Sequence, residues 1–180
     1  MYKSNFDFSF IEKKIRTKTF GILTTLNKDG TPHSTGVLYG VSPPSSAFSL
    51  IFFTSKKYKK VRNIKRNPNV SFVIPFSHSF LRFTPSKTVT FNGKAELISL
   101  NDCEIRTIFS RKRILRLIIT QSQTEDQESF TFVRIIPNPK VLCYGLGINV
   151  LKLRKGHRHG GYSVIIPKER LPPLIQSANV

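Results

Sequence analysis

The sequence reads as mainly β with α (α+β): an antiparallel barrel carrying two to three helices on its outside. Three features lead there. Apolar runs of strand length recur between turn residues, as at Phe20–Leu26, Phe48–Thr54 and Asn69–Phe76. Asp29-Gly30 separates two such runs, where a tight hairpin needs a residue with positive φ. Helical spacing of apolar residues appears in only a few stretches. The 180 residues suit one domain, with a core over about 18–146 and an irregular basic tail over 147–180. No repeat appears at solenoid spacing.

Taken in order, Phe6, Phe10, Ile11 and Ile15 lie near helical spacing and predict a short amphipathic helix over Phe6–Thr17. Phe20–Leu26 and Thr31–Val41 form the hairpin, and Ser42-Pro43-Pro44-Ser45-Ser46 is a loop. Phe48–Thr54 is strongly apolar, as in a strand buried on both faces. Thr54 or Ser55 can cap a basic helix that ends before Asn67-Pro68, since the residue preceding proline resists the α region. Asn69–Phe76 and Thr88–Ile98 are strands, the second with a bulge or bend at Asn92-Gly93. Asn101 and Glu104 form a capping pair for a helix from Asp102 to about Leu117. Gln121–Glu128 is a polar connection, and Phe130–Ile136 and Val141–Gly145 are two further strands. Leu171-Pro172-Pro173-Leu174 argues against a terminal helix.

Charge is the outlying quantity: 29 Lys+Arg against 10 Asp+Glu leave a formal +19. Such a balance favours an anionic partner, whether nucleic acid, a phosphorylated cofactor, an acidic substrate or an anionic membrane face, and does not choose among them. The cations cluster within folded-looking segments, at Lys56–Arg66, Arg111–Arg113 and Lys152–Arg158, rather than in a low-complexity tail. No apolar run reaches the roughly 18–20 residues that span a bilayer, and Met1–Phe8 lacks the apolar core of a signal peptide. Cys103 and Cys143 form no Cys-x-x-Cys pair and read as reduced thiols, so a cytoplasmic location is expected.

The strand end Thr54-Ser55 opening into Lys56–Lys60 reads locally either as a solvated basic helix face or as a phosphate site, for which it offers unpaired N–H groups, a helix dipole, hydroxyls and ammonium charges. His157-x-His159 has no nearby Cys or carboxylate to complete a metal set, so no metal is expected. His33 reads as structural, and neither thiol stands beside a His and an acid. With no acid–base pair in view, no catalytic residue is named and the chemistry falls to a cofactor.

The ordered set Leu23-Thr24-Thr25, Asp29-Gly30-x-Pro32-His33, Phe52-Phe53-Thr54, Lys59-Lys60, Asn67-Pro68-x-Val70 and Gly93-Lys94-Ala95-Glu96 covers Phe20 to about Leu100. It resembles the FMN-binding split barrels related to pyridoxamine 5′-phosphate oxidase. The resemblance implies a split β-barrel, a homodimer whose subunits jointly complete each FMN site, and a flavin-dependent oxidoreductase with a small redox substrate. It also implies that Thr35, Gly36, Val37 and Leu38 lie along the flavin ring. Phe53, Thr54 and Ser55 would contact ring and ribityl chain, Lys59 and Lys60 the phosphate, and Thr88 a polar edge of the ring.

The chain departs from that pattern in places. Tyr58-Lys59-Lys60 stands where the family has Ser-Arg-Lys, keeping charge but losing the hydroxyl and the forked guanidinium. Thr35 replaces the phosphate-binding arginine of the second strand. True pyridoxamine phosphate oxidases close with a Trp- and Arg-containing segment, whereas this chain has no Trp and ends differently, so that activity is not expected. A related branch binds a deazaflavin with a polyglutamate tail, which a +19 chain would suit. Relatives of the same barrel type bind or degrade haem. A barrel that binds nucleic acid would also suit the charge, with Tyr58, Phe80, Phe83 or Phe109 stacking on bases.

Overall fold

The computed structural model describes residues 6–76, 87–99, 105, 108–109, 129–148 and 160–173, and the elements with assigned bounds among these are seven strands, two α-helices and a 3-10 turn at Lys168–Arg170. In chain order the strands and α-helices are α1 (Phe8–Arg16), β1 (Phe20–Leu26), β2 (Pro32–Val41), β3 (Leu50–Ser55), α2 (Lys59–Arg66), β4 (Asn69–Phe76), β5 (Lys87–Ile98), β6 (Phe130–Tyr144) and β7 (Gly161–Ile165). All pairings are antiparallel in the order β3-β2-β1-β4-β5-β6-β7. A further pairing of β3 with β6 closes the first six strands into a barrel and leaves β7 outside it on β6. This is the expected α+β antiparallel barrel.

Alternation along the strands fills the interior. Leu23, Tyr39, Leu50, Phe52, Phe72, Ile74, Val89, Phe91, Val133 and Ile135 are all fully buried in one cluster. Each apolar side chain of this kind contributes roughly 1.5–3 kcal/mol when removed from water. Helix α1 seals one end of the barrel with Phe8, Ile11 and Ile15, and the Tyr39 hydroxyl donates to the Ile15 carbonyl at 2.8 Å. Asp7 caps α1 by accepting from the Phe10 amide at 2.9 Å. Gly30 has φ +81° at the β1–β2 turn, where the Asp29 carboxylate accepts from the Thr31 amide and hydroxyl.

Several boundaries differ from expectation, each for a physical reason. The third strand starts at Leu50 rather than Phe48, because the Phe48 amide donates to the Arg170 carbonyl and the Ser49 amide to the Ser42 hydroxyl. Neither Thr54 nor Ser55 caps α2. Backbone pairing with β6 continues through Ser55, so the helix cannot begin until Tyr58, whose side chain supplies no cap. The two strands expected over Phe130–Ile136 and Val141–Gly145 are one continuous β6. Phe91 pairs with Val141 and Gly93 with Pro137, so Asn138, Pro139 and Lys140 bulge opposite Asn92 and the prolines are absorbed. The stretch read as irregular contains β7, an added strand on β6. Within Leu171-Pro172-Pro173-Leu174, Leu171 is extended and Pro173 is helical, and residues 174–180 lie outside the described residues.

Ile105, Ile108 and Phe109 are helical and buried against Ile51 and Phe132 on the outside of the barrel. The remainder of the helix expected over Asp102–Leu117 lies outside the described residues, as do Gln121–Glu128, Arg111–Arg113, Lys152–Arg158, Phe80, Phe83, Cys103 and His157-x-His159.

The packing can be tested at two points. The Glu12 carboxylate is held by both nitrogens of the Arg170 fork, at 3.0 and 3.1 Å, and by Arg16. Arg170 also donates to the Ser46 carbonyl at 3.1 Å, so one ion cluster joins α1, the β2–β3 loop and the C-terminal turn. Arg170→Met should lower stability in equilibrium urea unfolding by about 3 kcal/mol, since it leaves a mostly buried carboxylate short of its partner. Arg170→Lys should recover only part of that loss. A cost near the roughly 0–1 kcal/mol of an exposed pair would show that this cluster does not hold the ends together. Separately, a Cβ on Gly93 would lie 2.1 Å from the Ile136 carbonyl oxygen and 2.8 Å from the Pro137 Cα, both backbone atoms. Gly93→Ala should therefore cost more than about 3 kcal/mol or abolish folding, and a near-neutral effect would refute the close approach.

Candidate functional site

β2 and β3 begin as neighbours and then part. Their register runs Val41↔Leu50, Gly40↔Ile51, Tyr39↔Phe52 and stops. Beyond it, β2 pairs only with β1 and β3 only with β6. Had the ladder continued, Val37 would face Thr54. The barrel is therefore split along Thr35–Leu38 on one side and Phe53–Ser55 on the other, which brings seven of the ten sequence-predicted residues to one opening.

Side-chain direction divides these seven. Val37 belongs to the interior cluster, and Thr35 and Thr54 share its inward parity with Tyr39 and Phe52. Thr54 is only 5% exposed and its hydroxyl has no hydrogen-bond partner among the described residues. An unpaired buried hydroxyl costs roughly 1–3 kcal/mol, so this one marks a place where a ligand atom would be welcome. The Thr35 hydroxyl turns back to the Gly36 carbonyl at 3.2 Å.

Gly36, Leu38, Phe53 and Ser55 have the outward parity. Phe53 stacks on Phe130 with centroids 5.2 Å apart, and Leu38 and Phe53 both pack on the outer cluster around Ile51 and Phe109. The Ser55 hydroxyl donates to the Ser129 carbonyl and accepts from the Lys57 amide, each at 3.3 Å, so it shapes the turn into α2. Sequence reasoning missed Phe20. Its ring lies against Gly36, where a Cβ would meet it at 2.7 Å, and it remains 47% exposed beside the exposed Ile22. The period-two pattern Phe20, Ile22, Thr24 is the signal in the sequence for this outer face.

Helix α2 plugs the end of the barrel away from α1 with Val61 and Ile64. Its orientation is set by Asn63, whose buried amide donates to the Thr25 hydroxyl at 3.0 Å and to the Asn27 side chain at 3.1 Å. Consequently the two predicted lysines diverge. Lys59 is exposed at a shallow depression of about 480 Å³ with Asn27, Lys28 and Asp29, whose carboxyl is held below its ordinary value by hydrogen bonds from Thr31, with Lys59 the least of the contributors. Lys60 is half-buried, with Nζ 4.7 Å from the Tyr58 ring centroid. Desolvation holds its pKa below the ordinary lysine value. The first turn of α2 has no acidic residue and no side-chain cap.

Thr88 is not with the others. It sits on β5, paired with Pro75 and Tyr144, on the wall of the barrel opposite β2. The buried Cys143 thiol is pushed up to about 12 by desolvation and is no nucleophile at neutral pH. Among the described residues no group of three His, Cys, Asp or Glu could hold a metal, and no helix is long and apolar enough to cross a membrane.

No curated protein matches the sequence. Solved structures do resemble the fold. The heme storage protein HutZ of Vibrio cholerae aligns with TM-score 0.58 and 18% identity over 76% of this chain and 94% of its own. A heme binding protein of Mycobacterium smegmatis aligns with TM-score 0.62 and 18% identity over 92% of this chain, which spans 59% of that longer protein. A FAD-binding protein of Mesorhizobium loti gives TM-score 0.53 and 22% identity over 73% of this chain and 87% of its own. At such identities these likenesses establish the barrel alone. The sequence profile described as Pyridoxamine 5′-phosphate oxidase matches residues 10–138, well over half of the chain, and the protein therefore belongs to that family.

Proposed function

We propose that the protein is a cytoplasmic, homodimeric FMN-dependent oxidoreductase acting on a small redox substrate, with the flavin seated at the split between β2 and β3. The observation that carries this reading is the Thr54 hydroxyl, buried and unpartnered at the edge of an opening that the ladder leaves unpaired. A flavin held there would supply the electron transfer, and this chain's residues bind and orient it. Thr35–Leu38 and Phe53 form the two banks of the site. Lys60 and the uncapped start of α2 take the phosphate, since Thr35 brings no charge to β2.

The homodimer belongs to the same proposal. Thr88 stands on the far wall, so it can reach a site only on a second copy, and the exposed Phe20 and Ile22 offer an apolar face for that copy. Haem is a second reading, favoured by the descriptions of the Vibrio and Mycobacterium proteins and by the same apolar face, which a flat macrocycle also suits.

The visible spectrum of the purified protein, repeated after FMN addition and desalting, tests this directly. Flavin bands that survive desalting are expected. A Soret band would replace FMN by haem, a single deazaflavin-like band would select that cofactor, and no chromophore would overturn the reading.

Thr54→Val should have opposite effects on the two states. FMN binding should weaken about tenfold, while the free protein should gain about 1 kcal/mol as the unpaired hydroxyl is removed. Unchanged FMN affinity would remove Thr54 from the site. Lys60→Met should weaken FMN binding more than Lys59→Met, because Lys60 is half-buried whereas Lys59 is exposed beside the β1–β2 turn. Raising the pH through the lowered pKa of Lys60 should reduce FMN affinity, with Lys60→Met flattening that profile. Stability of the free protein runs the other way. Between the lowered and ordinary values the unfolded chain binds more protons, so stability rises with pH there.

A further inference from the structure

The cofactor reading uses the buried side of α2, and the opposite side presents a separate surface. Arg62 lies at its centre, with Tyr58 four residues before and Lys65 three residues after, which places all three on one face. Lys56 and Lys57 lead into that face from the turn after β3, and all five residues are exposed. No acidic residue occurs from Lys56 to Arg66. Among the described residues none of these four cations has an ion-pair partner. Of the neighbouring cations, Lys59 lines the depression beside Asp29, and Arg66 donates to the Leu26 carbonyl and to Asn63.

Unneutralised like charges on adjacent helical turns repel, and a polyanion laid across them relieves that repulsion. Tyr58 adds a second kind of contact. Its ring is 57% exposed and carries Lys60 Nζ 4.7 Å from its centroid. The face has no exposed aliphatic side chain, because Val61 and Ile64 are both buried in the barrel end. It therefore lacks what a helix needs to enter a lipid interface.

We propose that this face binds single-stranded nucleic acid, with phosphates against Lys56, Lys57, Arg62 and Lys65 and a base stacked on Tyr58. A single strand fits better than a duplex because an exposed ring can stack only on an unpaired base. The four cations of this surface are distinct from Lys60, the phosphate ligand of the flavin reading, while Tyr58 borders both through its contact with Lys60, and the test needs no cofactor.

The test measures binding of the full chain to a short fluorescein-labelled oligouridylate by fluorescence anisotropy across a salt series, without added flavin. Four phosphate contacts should give a slope of log K against log salt near −3, at about −0.7 for each contact on a single strand. The double variant Arg62→Glu/Lys65→Glu should bind more than about tenfold more weakly, with the slope cut to about half. Tyr58→Ala should bind about tenfold more weakly with the slope unchanged, because stacking releases no counterions. Should the double variant misfold by circular dichroism, Arg62→Gln/Lys65→Gln is read in its place, with the same loss of slope expected. Wild-type slope and affinity in the charge variant would overturn the proposal. So would an unchanged Tyr58→Ala accompanied by equal competition from polyaspartate, which would reduce the surface to bare charge. Binding to phosphatidylserine vesicles without binding to the oligonucleotide would overturn it in favour of a lipid partner.

Discussion

The closure of the barrel depends on β6, and the close backbone approach of Gly93 to the Ile136 carbonyl is what lets β5 and β6 pair on both sides of the bulge. β6 serves three partners along its length: β5 through Phe132–Pro137 and Val141–Tyr144, β3 through Phe130–Ile135 and β7 through Lys140–Tyr144. A straight strand could not do this, and the bulge opposite Asn92 lets it bend. Only a residue without a Cβ tolerates the approach that the bend requires. β6 pairs with β3 along Leu50–Ser55, whereas β2 pairs with β3 only through Leu50–Phe52, so the split lies where β3 keeps β6 and no longer meets β2.

What surrounds the split is arranged in layers of decreasing apolarity. The interior is aromatic and aliphatic, and Tyr39 is its main polar member, satisfied by the Ile15 carbonyl. Beneath it, Thr25 and Asn63 form a small satisfied network that fixes α2 against the hairpin. Thr54 belongs to the same depth but has no partner among the described residues, and that asymmetry singles it out. Two buried hydroxyls of the same residue type thus read differently because one is paired and the other is not.

The scarcity of acids gives each carboxylate weight in a chain of net charge +19. Glu12 gathers two arginines and joins three segments distant in sequence. Asp29 organises the hairpin turn and has Lys59 nearby. Few acids remain to offset the cations elsewhere, so α2 keeps a charged outer face while its inner face completes the core. One short helix therefore carries two kinds of surface, distinguished only by rotation about its axis.

Much of the architecture is legible from local pattern. β1 and β4 match their apolar runs residue for residue, since alternation and turn residues act over short range. The residues that the resemblance assigns to the flavin, Thr35–Leu38 and Phe53–Ser55, are contiguous in each strand and so fall together on the two sides of the split. The start of β3 escapes local pattern because Phe48 and Ser49 bond to Arg170 and Ser42, partners that no local window contains. The unity of β6, the addition of β7 and the late start of α2 likewise depend on pairing between remote strands. The divergence of Lys59 from Lys60, the isolation of Thr88 and the lean of Phe20 onto Gly36 follow from how rigid elements are rotated in the assembled barrel. Residue type and spacing settle which chemistry is on hand; only the closed ladder settles which of those groups meet, because the hydrogen bonds that orient them join segments far apart in the chain.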